Sequence, residues 1–211
     1  IELVIDARRK DLGGFEVGRV LPFHSHRMVG PFIFLDQMGP AEFAPGADAI
    51  NVRPHPHIGL STLTYLFEGE IMHRDNLGYT QPIRPGEVNW MTAGSGIVHS
   101  ERTDPLKKAQ GGAMHGMQAW VALPTEKEEI APSFTHLGED AQPTYENKGL
   151  FARLVAGEAF GEKAGTPVQS PLFYVHWEMA EGVRAAPPPP KSKGGYSERA
   201  LFVAKGTIEV D

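Results

Sequence analysis

The apolar residues of this chain fall into short runs that are separated by glycine, proline and acidic residues. Most of these runs are rich in β-branched and aromatic side chains, which is typical of β-strands bounded by turns. We predict strands at residues 15–17, 31–35, 60–67, 71–74, 88–91 and 117–123. After Gly149 the same pattern predicts further strands at residues 150–155, 172–179 and 200–210. The alternation of runs and turns therefore indicates an all-β protein.

The segments between these strands include turns, one short helix and two longer connections. Residues 68–70 are predicted to turn a hairpin between the third and the fourth predicted strand. Residues 125–130 are the strongest helix candidate, because their acidic side chains suit the start of a helix. We expect residues 132–148 to form a linker. Residues 186–195 contain four consecutive prolines followed by Lys, Ser and Gly, which predicts an exposed loop.

The composition agrees with many short strands and limits the classes of function. The 211 residues include 24 Gly and 18 Pro, which favour tight turns over long helices. A formal net charge of −6 argues against direct binding to nucleic acid or to an anionic membrane, but it permits a protein partner. With no Cys the chain can form neither disulfides nor thiolate ligands, so a metal would be held by nitrogen and oxygen donors.

The two ends of the chain and its apolar runs bear on location and completeness. No run approaches the length of a transmembrane helix, and the charged residues 6–11 do not fit a signal peptide. We therefore expect a cytoplasmic protein. We also expect it to be a monomer. Since the first residue is Ile1, we also expect that at least an initiator Met is missing. The second group of strands is expected to be cut short at Asp211, where a hairpin with a predicted turn at Lys205 and Gly206 ends.

Two pairs of side chains that commonly bind metals lie at positions i and i+2 in strand-like sequence. His55 and His57 form the first pair, and His99 and Glu101, 44 positions later, form the second. Residues two apart on a strand project from the same face, so each pair can point to one side. If the two strands are neighbours in a closed barrel, three imidazoles and one carboxylate converge. This donor set favours a borderline divalent transition metal over Ca²⁺ or Mg²⁺.

The other histidines are weaker candidates for a functional role. His24 and His26 repeat the same spacing but have no partner pair nearby, so we expect them in a solvated loop. His73 lies next to a predicted turn, which indicates a surface residue. For His115, beside the strand predicted at residues 117–123, two interpretations remain open: a loop histidine, or a residue near the metal pocket.

The sequence around these histidines resembles the pirin family of the cupin superfamily. The blocks with this resemblance are RMVGPF at residues 27–32, RPHPHIG at 53–59, PGEVNWMTAGSGIVHSE at 85–101 and HGMQAWV at 115–121. The resemblance implies two tandem cupin β-barrels of the jelly-roll type, a bicupin. It places a metal-binding barrel at residues 1–131. It places a second barrel, without a metal site and incomplete in this chain, at residues 132–211.

The resemblance also implies four metal ligands, His55, His57, His99 and Glu101. These are the residues that alternation along the two strands indicates. One departure from general cupins concerns the ligands; the others are the HxH pair at His24 and His26, which is not a ligand position in the family, and the missing last strands of the second barrel. The carboxylate ligand of general cupins usually follows the HxH motif by four or five residues, where this chain has Ser61 and Thr62. By resemblance to pirins, Glu101 in the second motif takes its place.

The expected ligand set indicates a catalytic metal more than a structural one. Three neutral imidazoles and one carboxylate leave an octahedral divalent ion with two open positions, which suits a bidentate substrate or a substrate together with O₂. Structural zinc sites are usually tetrahedral and often contain Cys. The expected cofactor is one divalent transition metal, Fe²⁺ in the first place, with Ni, Mn, Co, Cu or Zn as alternatives.

Three functions remain open at this point. The resemblance to bacterial pirin-like proteins implies a quercetin 2,3-dioxygenase, which opens the ring of a flavonol with O₂ and releases CO. In such an enzyme Glu101 would be both a ligand and the general base for the substrate hydroxyl. The resemblance to eukaryotic pirins implies instead an iron-dependent binding module that assists a transcription regulator through a protein partner. The third function is a cupin that acts on another small enolic or aromatic compound.

Overall fold

The structure is a computed structural model that describes residues 1–12, 15–47, 49–189 and 198–210, and its regular structure is almost entirely β. In chain order the strands are β1 (Arg8–Asp11), β2 (Glu16–Leu21), β3 (Phe32–Phe43), β4 (Asn51–His57), β5 (Leu60–Glu68), β6 (Ile71–Asp75), β7 (Thr80–Ile83), β8 (Val88–Thr92), β9 (Ile97–Arg102), β10 (Gly112–Ala122), β11 (Ser133–Leu137), β12 (Thr144–Asn147), β13 (Leu150–Ala159), β14 (Glu162–Lys163) and β15 (Phe173–Met179). The helical elements are α1 (Pro105–Gln110) and two 3₁₀ turns, Thr125–Lys127 and Glu139–Ala141. The predicted all-β class is confirmed.

The strands form three antiparallel sheets. The largest has the order β1-β2-β3-β10-β5-β8-β11, and a second has the order β4-β9-β6-β7. In the third sheet β13 pairs with β12, β14 and β15. The first two sheets pack face to face, since Met38, Leu66 and Met114 of the first share a buried apolar cluster with Ile71 and Ile83 of the second. The space between these two sheets holds the metal candidates.

β5 is buried along almost its whole length because both faces of its sheet are covered. Leu63 and Tyr65 belong to a cluster with Val155 and Leu172, so the β13 region packs on the outer face of the seven-stranded sheet. Leu66 faces the opposite side, in the cluster between the first two sheets. This two-sided burial explains why apolar residues of β5 occupy both faces of the strand and are not restricted to alternate positions.

The predicted hairpin between β5 and β6 is wrong, although the chain does turn there. β5 pairs with β8 and β10, whereas β6 pairs with β7 and β9 in the second sheet. The connection therefore crosses from one sheet to the other. Gly69 lies at this corner with φ +94°, and a Cβ there would be 2.5 Å from the carbonyl oxygen of Ala113. The crossing places β6 beside β9, the strand of His99 and Glu101.

The helix prediction also needs correction. Residues 125–130 contain only the 3₁₀ turn Thr125–Lys127, and the α-helix of the described chain is α1. Asp104 caps α1, because its side chain accepts a hydrogen bond of 2.9 Å from the N–H of Leu106. An Asp before a Pro is a recognisable signal for a helix start. It was overlooked because α1 is short and exposed and therefore shows no helical pattern of apolar residues.

The predictions for the second half of the chain are partly wrong. Residues 132–148 are not a linker, since they contain β12 and also β11, which pairs with β8. Residues 200–210 form no strand. Of the loop predicted at residues 186–195, residues 190–195 lie outside the described residues. The division of the chain at residues 131 and 132 stays a prediction, although β11, just after it, belongs to the seven-stranded sheet.

Among the described residues, none of the helices has the length and apolar character needed to cross a membrane.

Candidate metal centre

β4 and β9 bring three histidines together. The two strands are antiparallel neighbours, with His55 directly opposite His99 and His57 opposite Ile97. Opposite residues of an antiparallel pair share a face, as do residues two apart on one strand, so the three imidazoles point to the same side. Their ring centroids are 4.5, 4.9 and 5.1 Å apart. One ligand nitrogen of each lies within 4.8 Å of the other two, which allows the three to bind one metal ion.

Two of these imidazoles are buried and neutral. His57 and His99 are 7% and 2% exposed, while His55 is half-buried. Burial, together with the neighbouring His55, lowers the pKa of His57 to about 4. Burial and the nearby imidazoles of His55, His73 and His57 lower the pKa of His99 to about 2. Both rings are therefore neutral at neutral pH, with one nitrogen free of a proton, as metal binding requires.

The hydrogen bonds around the rings leave nitrogen atoms that fit a metal. The Nδ1–H of His55 donates to the backbone carbonyl of Arg53 at 2.8 Å, so the lone pair of the neutral ring is on Nε2. Nε2 of His99 is buried and has no hydrogen-bond partner among the described residues. A buried nitrogen without a partner is rare, because it has lost its hydrogen bonds to water. A metal ion bound to this atom would supply the missing interaction.

Glu101 is buried beside the three histidines but is not a member of their group. It is 8% exposed, and the hydroxyl of Thr64 lies 3.3 Å from its Oε1 and 2.7 Å from Oε1 of Gln118. Burial raises the pKa of the Glu101 carboxyl, against the opposite effects of His55 and of the Thr64 hydrogen bond. No Lys or Arg of the described chain contributes to this shift, so a divalent cation would supply the missing positive charge. Its role as a ligand stays a prediction.

Aromatic side chains border the three histidines. The indole of Trp120 on β10 meets the ring of His57 edge-on, with centroids 5.0 Å apart. Phe34 on β3 stacks on Trp120 at 4.1 Å, and the guanidinium of Arg19 lies 4.5 Å from the Phe34 centroid. Two hydrogen bonds of 2.9 Å hold Arg19 against Asp36. Trp120 is half-buried, so one face of the centre is lined by an indole. The packing of Phe34 and Arg19 behind it holds this indole in place.

Three of the other histidines lie outside this group. His24 is exposed, as expected for a solvated loop, and His26 is half-buried with its Nε2 3.8 Å from a carboxylate oxygen of Glu198. His115 is buried on β10, where Gln37 lies 3.1 Å from its Nε2. His115 is therefore not a loop histidine, and it does not belong to the three-histidine group.

His73 is not the surface residue that we predicted. It is 3% exposed, with Nε2 lying 2.8 Å from the Asp75 carboxylate and Nδ1 lying 3.3 Å from Nδ1 of His99. A signal for this burial was present in the sequence, since Ile71 and His73 occupy alternate positions of one strand and share a face. Because Ile71 is a core residue, strand parity places His73 inside as well.

Comparisons with known proteins identify relatives of this chain. Residues 14–121 match the protein family described as Pirin. A pirin-like protein of Caulobacter vibrioides is 68% identical over 100% of this chain and 72% of its own length. A Pseudomonas aeruginosa protein provisionally named quercetin 2,3-dioxygenase is 44% identical over 80% of this chain and 52% of its own length.

A solved structure gives the same picture of the fold. The crystal structure of a quercetin 2,3-dioxygenase from Acinetobacter baumannii matches with a TM-score of 0.76 and 39% identity. The match covers 82% of this chain and 56% of that one. The chain thus spans only a little more than half the length of the two relatives named as quercetin dioxygenases.

Proposed function

Because this chain belongs to the pirin family, we propose that it is a metal-dependent dioxygenase of the quercetin 2,3-dioxygenase type, which acts on a flavonol. The main observation behind this proposal is the group of three imidazoles in which the buried Nε2 of His99 has no partner among the described residues. The relatives named as quercetin 2,3-dioxygenases support the choice of reaction. His55, His57 and His99 hold one divalent metal, Fe²⁺ in the cell, and Glu101 is the fourth ligand.

The reaction consumes one flavonol and one O₂, and it yields one CO and one ring-opened ester. The bound metal would lower the pKa of the substrate 3-hydroxyl and bring the substrate and O₂ together. The side chains of the protein handle the proton. Glu101 would accept it from the 3-hydroxyl once its carboxylate has loosened from the metal, because burial without a bound ion raises the pKa of this carboxyl. The hydroxyl of Thr64 lies between this carboxylate and the side-chain amide of Gln118, 3.3 Å from Oε1 of Glu101.

The surroundings of the centre suit a flat aromatic substrate. The half-buried indole of Trp120 lies beside His57 and is fixed by its stacking on Phe34. Aromatic surfaces bind flat aromatic ligands through offset or edge-to-face contacts. His55 is the most exposed of the three imidazoles, so the substrate approaches the metal from its side.

The test is to load the protein with Fe²⁺ without air, add quercetin, and then admit O₂. We expect the long-wavelength absorbance of quercetin to shift on binding, and O₂ uptake and CO release to follow in equal amounts. His99→Ala is the control, because it removes the deepest ligand and should abolish both the shift and the turnover. A metal-loaded protein that neither shifts the quercetin spectrum nor consumes O₂ would contradict the flavonol reaction.

That result would favour the second candidate, an iron-dependent binding module that acts through a protein partner. The net charge of −6 supports a protein partner over nucleic acid. For either function we propose a cytoplasmic monomer.

A further inference from the structure

A chain of polar side chains leads from His99 to the neighbouring strand β6. In the register of β6 and β9, Asp75 lies opposite His99 and His73 lies opposite Glu101. Nε2 of His73 is 2.8 Å from Oδ2 of Asp75, and Nδ1 of His73 is 3.3 Å from Nδ1 of His99. The side chains of His73 and Asp75 are only 4% and 0% exposed, so water does not compete for these hydrogen bonds.

Both partners of His99 in this chain are held in place. Oδ1 of Asp75 accepts hydrogen bonds from the backbone N–H of Leu77 at 2.9 Å and of Tyr79 at 3.1 Å, which leaves Oδ2 facing His73. The ring of His73 stacks on Phe134, with centroids 4.3 Å apart and 16° between the planes. Neither side chain can turn away from His99 without losing these contacts.

These contacts decide where the protons of the two imidazoles lie. A carboxylate only accepts hydrogen bonds, so Nε2 of His73 carries the proton in the contact with Asp75. A neutral imidazole then has its lone pair on Nδ1, so His73 accepts at this atom and Nδ1 of His99 donates. The lone pair of His99 is consequently on Nε2, the buried atom that has no hydrogen-bond partner among the described residues.

We infer that Asp75 and His73 are positioning residues, which keep Nε2 of His99 unprotonated and directed at the metal. This inference rests on the metal site of the proposed function, but it concerns how the site is held and not which reaction it performs. Metal-binding histidines usually donate their second N–H to a carboxylate or a carbonyl. His55 does so directly, through the carbonyl of Arg53. His99 donates instead to the imidazole of His73, which in turn donates to the carboxylate of Asp75.

Asp75→Asn tests the inference because it keeps the size of the side chain and adds an N–H donor. The N–H groups of Leu77 and Tyr79 retain the oxygen, so the amide N–H would face His73. His73 would then carry its proton on Nδ1, and the proton of His99 would move to Nε2, where it blocks the metal. We expect Co²⁺ to bind about 10- to 100-fold more weakly at neutral pH, measured by competition with a chromophoric chelator.

The second readout is the protonation of His99 itself in the metal-free protein. Nitrogen NMR of labelled imidazoles distinguishes a protonated ring nitrogen from an unprotonated one. We expect His99 to carry its proton on Nδ1 in the wild type and on Nε2 in Asp75→Asn. This measurement needs neither metal nor flavonol, so its outcome is independent of whether the protein is a dioxygenase.

Ile71→Val is the matched control, since Ile71 is buried on the same strand but belongs to the apolar cluster of Leu66. It should keep the Co²⁺ affinity of the wild type, and His99 should still carry its proton on Nδ1. Should Asp75→Asn not fold, His73→Phe replaces it, because Phe can stack on Phe134 but cannot accept from His99. Wild-type Co²⁺ affinity in the folded variant, with the His99 proton unmoved, overturns the inference. A wild type that binds no Co²⁺ overturns the proposed metal site together with it.

Discussion

Among the single residues of the centre, Glu101 has two proposed roles, metal ligand and general base, with opposite requirements. A metal ligand must be ionised, but burial raises the pKa of the Glu101 carboxyl and so favours its protonated form. A divalent ion bound to the three imidazoles would restore the ionised form through its charge. Because the same charge weakens the carboxylate as a base, Glu101 would accept the substrate proton only after it loosens from the ion.

Glu101→Gln should separate these two roles. Gln keeps a neutral oxygen at the same place but cannot take up a proton from the substrate. We therefore expect the variant to bind quercetin, with the spectral shift of the wild type, and to turn it over at least ~10²-fold more slowly, as is usual for a lost general base. The measurement is O₂ uptake at equal metal content. Equal turnover rates would keep the enzyme but assign its base to another residue.

The sequence was sufficient to predict the three histidines, because their common direction follows from alternation along β4 and β9. The burial of His73 could have been predicted from its alternation with Ile71, but its partner could not. The contact of His73 with His99 depends on the pairing of β6 with β9 and joins residues 26 positions apart. Local patterning does not contain such a pairing, so the hydrogen-bonded chain from Asp75 was visible only in the structure.

At the level of elements, β10 is the strand on which the seven-stranded sheet depends, because it lies between β3 and β5. Gly116 lies at an irregularity of its pairing with both neighbours. A Cβ on Gly116 would be 2.7 Å from the carbonyl oxygen of Tyr65 and 2.6 Å from Cδ2 of Leu66. Since β5 must approach this closely, the strand has no room for a side chain here.

Gly116→Ala should lower the free energy of unfolding by about 1–3 kcal/mol, the usual cost of overpacking a well-packed interior. Urea unfolding followed by circular dichroism measures this change. Gly138→Ala is the control, because a Cβ there meets no heavy atom within 4 Å. It should change stability by less than about 0.5 kcal/mol. Equal effects of the two substitutions would show that the contact with β5 is not responsible.

Other elements show where prediction from the sequence stops. The strands β5, β8 and β10 were recognisable because their aliphatic, β-branched and aromatic residues lie between Gly and Pro turn signals. The hairpin between β5 and β6 was wrongly predicted, since a tight turn does not reveal whether the chain pairs back or crosses to another sheet. β11 was missed because Ser133–Leu137 is a short and partly exposed strand, which gains its place only by pairing with β8.

For the whole molecule, the buried histidines predict a dependence of stability on pH in the metal-free protein. The folded pKa values of His57 and His99 are about 4 and about 2, whereas an unfolded histidine titrates near 6.5. Between about pH 6.5 and 4 the unfolded state therefore binds more protons. Each histidine should lower the free energy of unfolding by up to about 1.4 kcal/mol per pH unit as the pH falls through this range. The raised pKa of Glu101 acts in the opposite direction.

Comparison with a variant isolates the histidine contribution from that of the carboxyl groups. His57→Phe removes one of the two titrating rings, so its metal-free stability should fall less steeply than that of the wild type between pH 7 and 5. Urea unfolding at both pH values gives the two slopes. His24→Phe changes an exposed ring and should keep the wild-type slope. Identical slopes for His57→Phe and the wild type would contradict the burial of His57 as a neutral ring.

The most direct test of the metal centre is the metal content per chain after loading with Fe²⁺, or with Co²⁺ in air, and removal of unbound ions. We expect one equivalent in the wild type and in His24→Ala, which alters the HxH pair outside the centre. His99→Ala should retain less than about a tenth of an equivalent while its circular dichroism stays that of a folded β protein, because packing between the sheets does not depend on one imidazole. A full equivalent in His99→Ala, or none in the wild type, would contradict a metal centre at His55, His57 and His99.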